Sequence, residues 1–157
     1  VNEFFDINYD YIRQIVVEGE NYGVNVCLEN MPMPDLPLGS VQQVLDFVKK
    51  VNHPNLKICL DTGHTLIYDF QPGDAVRLIG KDLLSALHVH DNNSQRDQHL
   101  DPGQGIGKWK DFASALYEIN FEGVFSLETH EPKGDTLEER EQAELAFVNM
   151  IKNIVNG

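Results

Sequence analysis

Apolar residues follow two different periods along the chain, and segments of the two kinds alternate. Segments in which they recur every three to four residues predict amphipathic helices, at residues 6–22, 41–51, 72–81, 109–119 and 136–154. Short continuous apolar runs between them predict buried strands, at residues 24–29, 56–61, 83–90 and 123–128. A helix followed by four strand–helix units predicts a parallel sheet covered by helices.

Local signals mark the ends of these segments. Ser40 has the position and side chain of a helix N-cap, and Thr136 with Glu139 has the spacing of a capping box. Residues 30–39 contain three prolines and predict an irregular loop. Residues 91–107 predict a long polar loop that is rich in glycine toward its end. We find no linker between domains, so residues 1–157 are predicted to form a single domain.

Each predicted strand ends in a polar residue that can bind a metal ion; these residues are Glu29, Asp61, His88 and Glu128. Two positions earlier stand small residues, Cys27, Cys59, Ala86 and Ser126. Between the two sets stand bulky residues, Leu28, Leu60, Leu87 and Leu127. Because side chains alternate across a strand, the leucines are predicted to meet the helices and the small residues to line a crowded interior face.

The composition restricts the classes of partner. Acidic residues number 25 against 12 basic ones, and the formal net charge is −13. This charge opposes non-specific binding to nucleic acid or to an anionic membrane, so neither partner is expected.

There is no apolar run that would span a bilayer and no signal-peptide pattern. Cys27 and Cys59 lie in predicted strands, which is typical of free core thiols and predicts a cytoplasmic protein.

Asp61 and His64 are the strongest pair of candidate ligands. A carboxylate and an imidazole three residues apart, next to a glycine turn, form a pairing that divalent metals accept. The alternative is an aspartate that caps the loop beside a surface histidine. Glu29 and Glu128 each end an apolar strand, where an ionised carboxylate is costly unless it is paired or bound to metal. Their alternative is exposure or an ion pair.

His88 and His90 lie on one face of the third strand, and either could bind metal or substrate; the alternative is a hydrogen-bonded core histidine. Asp97 and His99, in the polar loop, form a second candidate ligand pair, whose alternative is a flexible loop. Four successive strands that end in Glu, Asp, His and Glu are hard to attribute to coincidence. We therefore expect the four ends to converge on one site.

These residues stand in motifs that resemble a known superfamily. The motifs are Leu28-Glu29-Asn30, Leu60-Asp61-Thr62-Gly63-His64, His88-Val89-His90-Asp91-Asn92, Asp97-Gln-His99, Pro102-Gly-Gln-Gly105 and Leu127-Glu128-Thr129. They are similar to the C-terminal half of the xylose isomerase-like TIM barrels, which include sugar epimerases, hydroxypyruvate isomerase, inosose dehydratase and type IV AP endonuclease. The resemblance implies an α/β fold, a partial (β/α)8 barrel of about four parallel strand–helix units preceded by a helix.

The resemblance also implies a ligand set and site roles. Glu29, Asp61, His88 and Glu128 would bind one divalent metal ion, zinc or manganese first and magnesium or cobalt as alternatives. Glu29 and Glu128 would also be the catalytic residues, and the substrate-binding residues would be His64, His90 and His99. In the endonuclease branch, His64, Asp97 and His99 would be additional metal ligands.

The chain also departs from the superfamily. A full barrel needs about 250 residues, and only four of its eight strands are found here. Val1 in place of methionine favours a fragment, and an isolated half-barrel would favour self-association or pairing with the missing half. Gln104 stands where the superfamily usually has glutamate, which puts a charge role at that position in doubt.

Three functions follow as expectations. The first is an enzyme, a metal-dependent isomerase or epimerase of sugars or sugar phosphates, which moves a proton next to a carbonyl through an enediolate and needs the missing N-terminal half for full activity. The second is a type IV AP endonuclease-like phosphodiesterase, which the acidic charge disfavours. The third is a non-catalytic half-barrel.

Overall fold

Helices and strands alternate through residues 2–129 and 135–156, which are the residues that the computed structural model describes. Its elements are α1 (Asn2–Asn21), β1 (Val26–Glu29), α2 (Val41–Val51), β2 (Leu56–Asp61), α3 (Thr62–Ile67), α4 (Pro72–Ile79), β3 (Leu84–Val89), α5 (Trp109–Glu118), β4 (Val124–Leu127) and α6 (Leu137–Asn156). Every predicted helix and strand is confirmed. Most ends differ from the prediction by one or two residues, and α1 begins four residues earlier.

The four strands form one parallel sheet in the order β1-β2-β3-β4. The register pairs Asp61 of β2 with His88 of β3, and His88 with Ser126 of β4. Glu29 of β1 pairs with Cys59 of β2. The carboxyl ends of all four strands therefore lie along one edge of the sheet, where the candidate ligands are.

Helix α3 was not predicted. Asp61 is its N-cap, with a carboxylate oxygen that accepts a hydrogen bond from the His64 backbone N–H at 2.7 Å. The sequence had suggested that His64 follows a glycine turn, and this was wrong, because His64 lies inside α3. Six residues are too few to show a helical period, but aspartate directly before such a segment is a strong start signal.

The main core lies between the sheet and the helices. Leu60 and Leu87 are fully buried in it, as predicted for the bulky strand face. Phe47 from α2 and Phe112 from α5 are the largest fully buried side chains among the described residues. Burying side chains of this size contributes roughly 1.5–3 kcal/mol each. The small residues of the other strand face do not belong to this cluster.

Cys27 and Cys59 are both free thiols, as predicted. Cys59 is buried, whereas Cys27 is only half-buried, so the expectation that both are core residues was wrong for Cys27. Burial raises the pKa of Cys59 to about 12, and the nearby charges of Glu29, Asp61 and Glu128 add to the shift. Both cysteines therefore carry neutral thiols at neutral pH in this environment.

Both predicted helix starts are confirmed. The Ser40 hydroxyl accepts from the Gln43 backbone N–H at 3.3 Å, and Gln43 Oε1 accepts from the Ser40 N–H at 3.1 Å. Thr136 and Glu139 make the same reciprocal pair at the start of α6, at 3.2 and 3.0 Å.

None of the helices in the described part of the chain has both the length and the apolar character needed to cross a membrane.

Candidate metal centre

One side chain from each strand end meets in a group that we call the strand-end cluster, formed by Glu29, Asp61, His88 and Glu128. Each residue offers one ligand atom, and these atoms all lie within 4.8 Å of one another. His88 Nδ1 is central, at 2.8 Å from Glu29 Oε1 and 3.1 Å from Glu128 Oε2. The predicted convergence of the four strand ends is confirmed, because the parallel register places them side by side.

The electrostatics of the strand-end cluster favour a cation. Three carboxylates lie together, and Asp61 is fully buried. Burial lowers the pKa of His88, but the hydrogen bond that its ring donates to Glu29 and the charges of Glu29, Glu128 and Asp61 outweigh this effect, so the pKa is raised. The imidazole thus partly compensates a local negative charge that a divalent ion would neutralise more fully.

One carboxylate oxygen of the strand-end cluster lacks a hydrogen bond. Glu128 Oε2 is buried and has no hydrogen-bond partner among the described residues, although His88 Nδ1 lies 3.1 Å away. A single Nδ1–H can point well at only one acceptor, and Glu29 is the nearer one. An orphaned buried carboxylate oxygen is costly. Three carboxylates and one imidazole are also a donor set that zinc and manganese accept, so the residues fit a divalent metal ion.

A second group lies beside the first, and we call it the loop-side cluster; it contains His64, His90, Asp97 and His99, with ligand atoms again within 4.8 Å of one another. His64 Nδ1 contacts the Asn30 carbonyl oxygen at 2.7 Å, and His99 Nδ1 contacts the Glu128 carbonyl oxygen at 2.7 Å. A carbonyl only accepts, so both Nδ1 atoms carry the proton.

With Nδ1 donating to a carbonyl, the Nε2 atom of each ring faces Asp97. His64 Nε2 lies 3.3 Å and His99 Nε2 lies 3.0 Å from Asp97 Oδ2. A lone pair and a carboxylate at that distance repel each other unless a proton or a cation lies between them. Metal-binding histidines usually bind the metal ion through one ring nitrogen and donate a hydrogen bond from the other, often to a backbone carbonyl.

His90 occupies a different position from the other two histidines. Its side chain is fully buried, and its Nε2 lies 3.0 Å from Asp61 Oδ2 and 2.9 Å from Asp61 Oδ1. Burial lowers the pKa of His90. The hydrogen bond to Asp61 and the charges of Asp61 and Asp97 raise the pKa by more than burial lowers it, so the net shift is upward. His90 therefore connects the two clusters through Asp61.

Sequence analysis did not single out Asn30 as a functional residue. Its side chain is buried and pairs twice with the backbone of Asp61: Asn30 Nδ2 donates to the Asp61 carbonyl at 3.0 Å, and the Asp61 N–H donates to Asn30 Oδ1 at 2.9 Å. The amide thus fixes the end of β1 to the end of β2. Its position directly after Glu29, at the end of an apolar strand, was the available signal.

We expect Asn30→Ala to lower the free energy of unfolding by about 1–3 kcal/mol, because each buried partner would lose its hydrogen bond. Urea denaturation followed by circular dichroism measures the change. Asn93→Ala is the matched control, since Asn93 is exposed and its side chain accepts from the nearby Gln95 N–H. Equal stabilities of the two variants would contradict a structural role for the Asn30 amide.

Asp91 is a second residue whose role the sequence did not reveal. Its carboxylate is fully buried and accepts hydrogen bonds from five donors. They are the backbone N–H groups of Asn92, Gly103, Gly105 and Gly107 and the indole N–H of Trp109. A Cβ on Gly105 would lie 2.2 Å from the Asn92 carbonyl oxygen, so only glycine fits there. Asp91 thus shapes the loop that carries Asp97 and His99.

Gln104, at the tip of the same loop, is exposed and donates from Nε2 to Asp101 Oδ2 at 2.7 Å. This contact ties Gln104 to its own turn.

The fold and the two clusters define an α/β protein with a candidate metal centre at the carboxyl ends of parallel strands. The family model described as "Xylose isomerase-like TIM barrel" matches residues 3–150, and the chain belongs to this family. The predicted partial α/β barrel is thereby confirmed. Two expectations stay predictions: that residues 1–157 form one domain, and that the protein is cytoplasmic.

Curated relatives include sugar epimerases and isomerases. An uncharacterized protein of Methanocaldococcus jannaschii is 34% identical over 131 residues, which cover 82% of this chain and 44% of the relative. A D-psicose 3-epimerase of Ruminiclostridium cellulolyticum is 32% identical over 127 residues, covering 80% of this chain and 41% of the relative. The chain therefore spans less than half the length of these two curated relatives.

Among solved structures, the crystal structure of a D-tagatose 3-epimerase-like protein is similar with a TM-score of 0.79 and 28% identity. The similarity covers 98% of this chain and 56% of that one. The four-stranded sheet with its helices thus corresponds to about half of that protein.

Proposed function

We propose that the protein is a metal-dependent isomerase or epimerase that acts on a sugar or a sugar phosphate. The observation that carries the proposal is the strand-end cluster, in which three carboxylates and one imidazole from four successive strands meet within 4.8 Å. The named activities of the curated relatives support the substrate class. Glu29, Asp61, His88 and Glu128 would hold one divalent metal ion, zinc or manganese in preference to magnesium or cobalt.

When bound, the metal would supply a positive charge that polarises a substrate carbonyl and stabilises an enediolate. Glu29 and Glu128 come from the two outer strands and approach His88 from either side. A sugar carbon held between them could lose a proton to one carboxylate and regain a proton from the other. Return of a proton to the opposite face of the same carbon would invert its configuration. Delivery of the proton to the former carbonyl carbon, with the hydroxyl proton passing to the carbonyl oxygen, would move the carbonyl.

His64 and His99 would hold substrate oxygens through Nε2, because a backbone carbonyl fixes Nδ1 of each ring and leaves Nε2 on the side of the loop-side cluster. His90 was also expected to bind substrate. Its zero exposure favours instead a role that acts through Asp61.

A metal-dependent phosphodiesterase is the second candidate, because of one specific observation. His64, Asp97 and His99 come together as the core of the loop-side cluster, with the geometry of a further cation site. The net charge of −13 opposes DNA as a substrate. The two candidates differ in the number of metal ions that each chain would bind.

Activity is proposed for a complete barrel. Among the described residues, β1 and β4 each pair with one neighbouring strand, so the outer edge of each carries unpaired backbone groups. Pairing with a complementary half-barrel, or with a second copy of the chain, would cover these edges. A half-barrel that lacks such a partner would keep the ligands without a closed substrate pocket.

The first test is metal content, measured by elemental analysis of the purified protein. We expect about one divalent ion per chain, and loss of that ion in Glu128→Ala. Glu122→Ala is the matched control, because Glu122 is exposed, lies outside both clusters and forms an ion pair with Lys81 at 3.7 Å. Two or three ions per chain would favour the phosphodiesterase, and a folded protein without any metal would contradict both candidates.

Catalysis is tested by incubating the metal-loaded protein with ketohexoses in deuterium oxide. Proton transfer next to the carbonyl would incorporate deuterium at that carbon, which mass spectrometry detects. Hydrolysis of abasic DNA without deuterium exchange would instead support the second candidate.

A further inference from the structure

We propose that His90 is a positioning residue, which holds the Asp61 carboxylate in the orientation that the strand-end cluster needs to bind metal. This inference rests on the proposed function, because it concerns the same metal site.

His90 is itself held firmly in place. The Thr62 hydroxyl donates to the His90 carbonyl at 2.8 Å and accepts from the His90 N–H at 3.0 Å, which anchors its backbone. The imidazole lies against Gly63 so closely that a Cβ there would be 2.0 Å from His90 Cε1. On another side it stacks on the His99 ring, with centroids 4.1 Å apart and an interplanar angle of 12°. A side chain so enclosed can fix the position of another.

Asp61 receives two fixed donors from outside the strand-end cluster. The His64 backbone N–H donates to Oδ1 at 2.7 Å, and His90 Nε2 lies 2.9 Å from Oδ1 and 3.0 Å from Oδ2. Because Asp61 is fully buried, water cannot replace either donor. These contacts restrict rotation of the carboxylate and leave its remaining lone pairs for the cluster.

The tautomer of His90 follows from the same contacts. The ionised Asp61 carboxylate only accepts, so a neutral His90 carries its proton on Nε2. Nδ1 is buried and makes no hydrogen bond that meets the geometric criteria among the described residues. The bond between Nε2 and Asp61 therefore favours this tautomer, and it is the main side-chain hydrogen bond of the ring.

Two other roles for His90 fit the contacts less well. Direct contact with substrate is opposed by its zero exposure. Direct metal binding through Nε2 would require loss of the bond to Asp61 and would leave that buried carboxylate with one donor fewer. A donor behind a metal-binding carboxylate is a common arrangement, and its removal typically weakens metal binding about 10- to 100-fold.

The test is a titration with Co²⁺ of the wild-type protein and of the variants His90→Phe and His90→Gln. Calorimetry measures the affinity, and visible absorption reports the coordination of the bound Co²⁺. Phenylalanine keeps the ring and its stacking but removes the donor, whereas glutamine places an N–H donor near the position of Nε2. We expect His90→Phe to bind Co²⁺ about 10- to 100-fold more weakly and to alter its absorption bands. His90→Gln should recover most of the affinity and the wild-type spectrum.

Unchanged affinity and an unchanged spectrum in His90→Phe would overturn the proposal for His90 and leave the metal function intact. Failure of the wild-type protein to bind Co²⁺ would overturn the proposed function and, with it, this inference. Should His90→Phe not fold, nitrogen-15 NMR of labelled histidines in the wild-type protein decides the question. A proton retained on His90 Nε2 after addition of Zn²⁺ supports the proposal, and its loss overturns it.

Discussion

Asp61→Asn is expected to abolish metal binding and activity while leaving the fold nearly as stable as that of the wild-type protein. Asparagine keeps an oxygen that can accept from the His64 N–H, and it caps helices about as well as aspartate. It loses the negative charge, however, and its NH2 group offers no lone pair to a metal ion. His90 can keep its proton on Nε2, because Nε2 lies 2.9 Å from the same oxygen that accepts from the His64 N–H, and that oxygen can accept from both donors.

Asp61→Ala separates the two roles of this residue. We expect it to lose the metal as well, and also to be destabilised by about 1–2 kcal/mol for the lost helix cap. The His90 Nε2 donor, left buried and unpaired, would add about 1–3 kcal/mol. Metal content, calorimetry and urea denaturation measure these changes together.

Asp46→Asn is the control for both Asp61 variants, because Asp46 is an exposed carboxylate on α2 that accepts from Gln42. It should bind metal as the wild-type protein does. Metal binding that survives in Asp61→Asn would remove Asp61 from the proposed ligand set. A stable Asp61→Ala would show that its contacts to His64 and His90 contribute little to folding.

The strand-end cluster could be predicted because its information is local. Each of Glu29, Asp61, His88 and Glu128 ends its own apolar run, and parallel pairing then places the four ends side by side. The strand-face prediction succeeded for the same reason, since alternation along a strand is independent of its partners. That these four side chains bind metal stays a prediction, to which the geometry adds a donor set of suitable composition.

The parts that the sequence did not predict depend on contacts between distant residues. Helix α3 is short, and its start is fixed by Asp61, a residue that already had a separate interpretation as a ligand. The burial of His90 results from Thr62 and Gly63, which lie 28 and 27 positions earlier in the chain. Sequence spacing correctly placed His88 and His90 near the site, but it could not tell which of the two faces the other ligands.

Asp91→Ala is expected to be among the most destabilising substitutions in the chain. It removes one buried carboxylate that serves five donors, three of which are the N–H groups of Gly103, Gly105 and Gly107. Each buried N–H donor that loses its acceptor costs about 1–3 kcal/mol, so the loss of several acceptor contacts at once costs on the order of 3–5 kcal/mol. We expect a loss of that size in urea denaturation, with a smaller loss in Asp91→Asn, which keeps one acceptor oxygen.

The control for Asp91 lies in the same loop. Asp101 is partly exposed, and its side chain accepts only from Gln104 at 2.7 Å, so Asp101→Ala should change stability by less than about 0.5 kcal/mol. Hydrogen exchange gives a local measure, because the amides of Gly103, Gly105 and Gly107 should lose protection in Asp91→Ala and keep it in Asp101→Ala. Equal exchange in the two variants would contradict the role of Asp91. If the role holds, the loop that carries Asp97 and His99 takes its shape from a buried carboxylate that belongs to neither cluster.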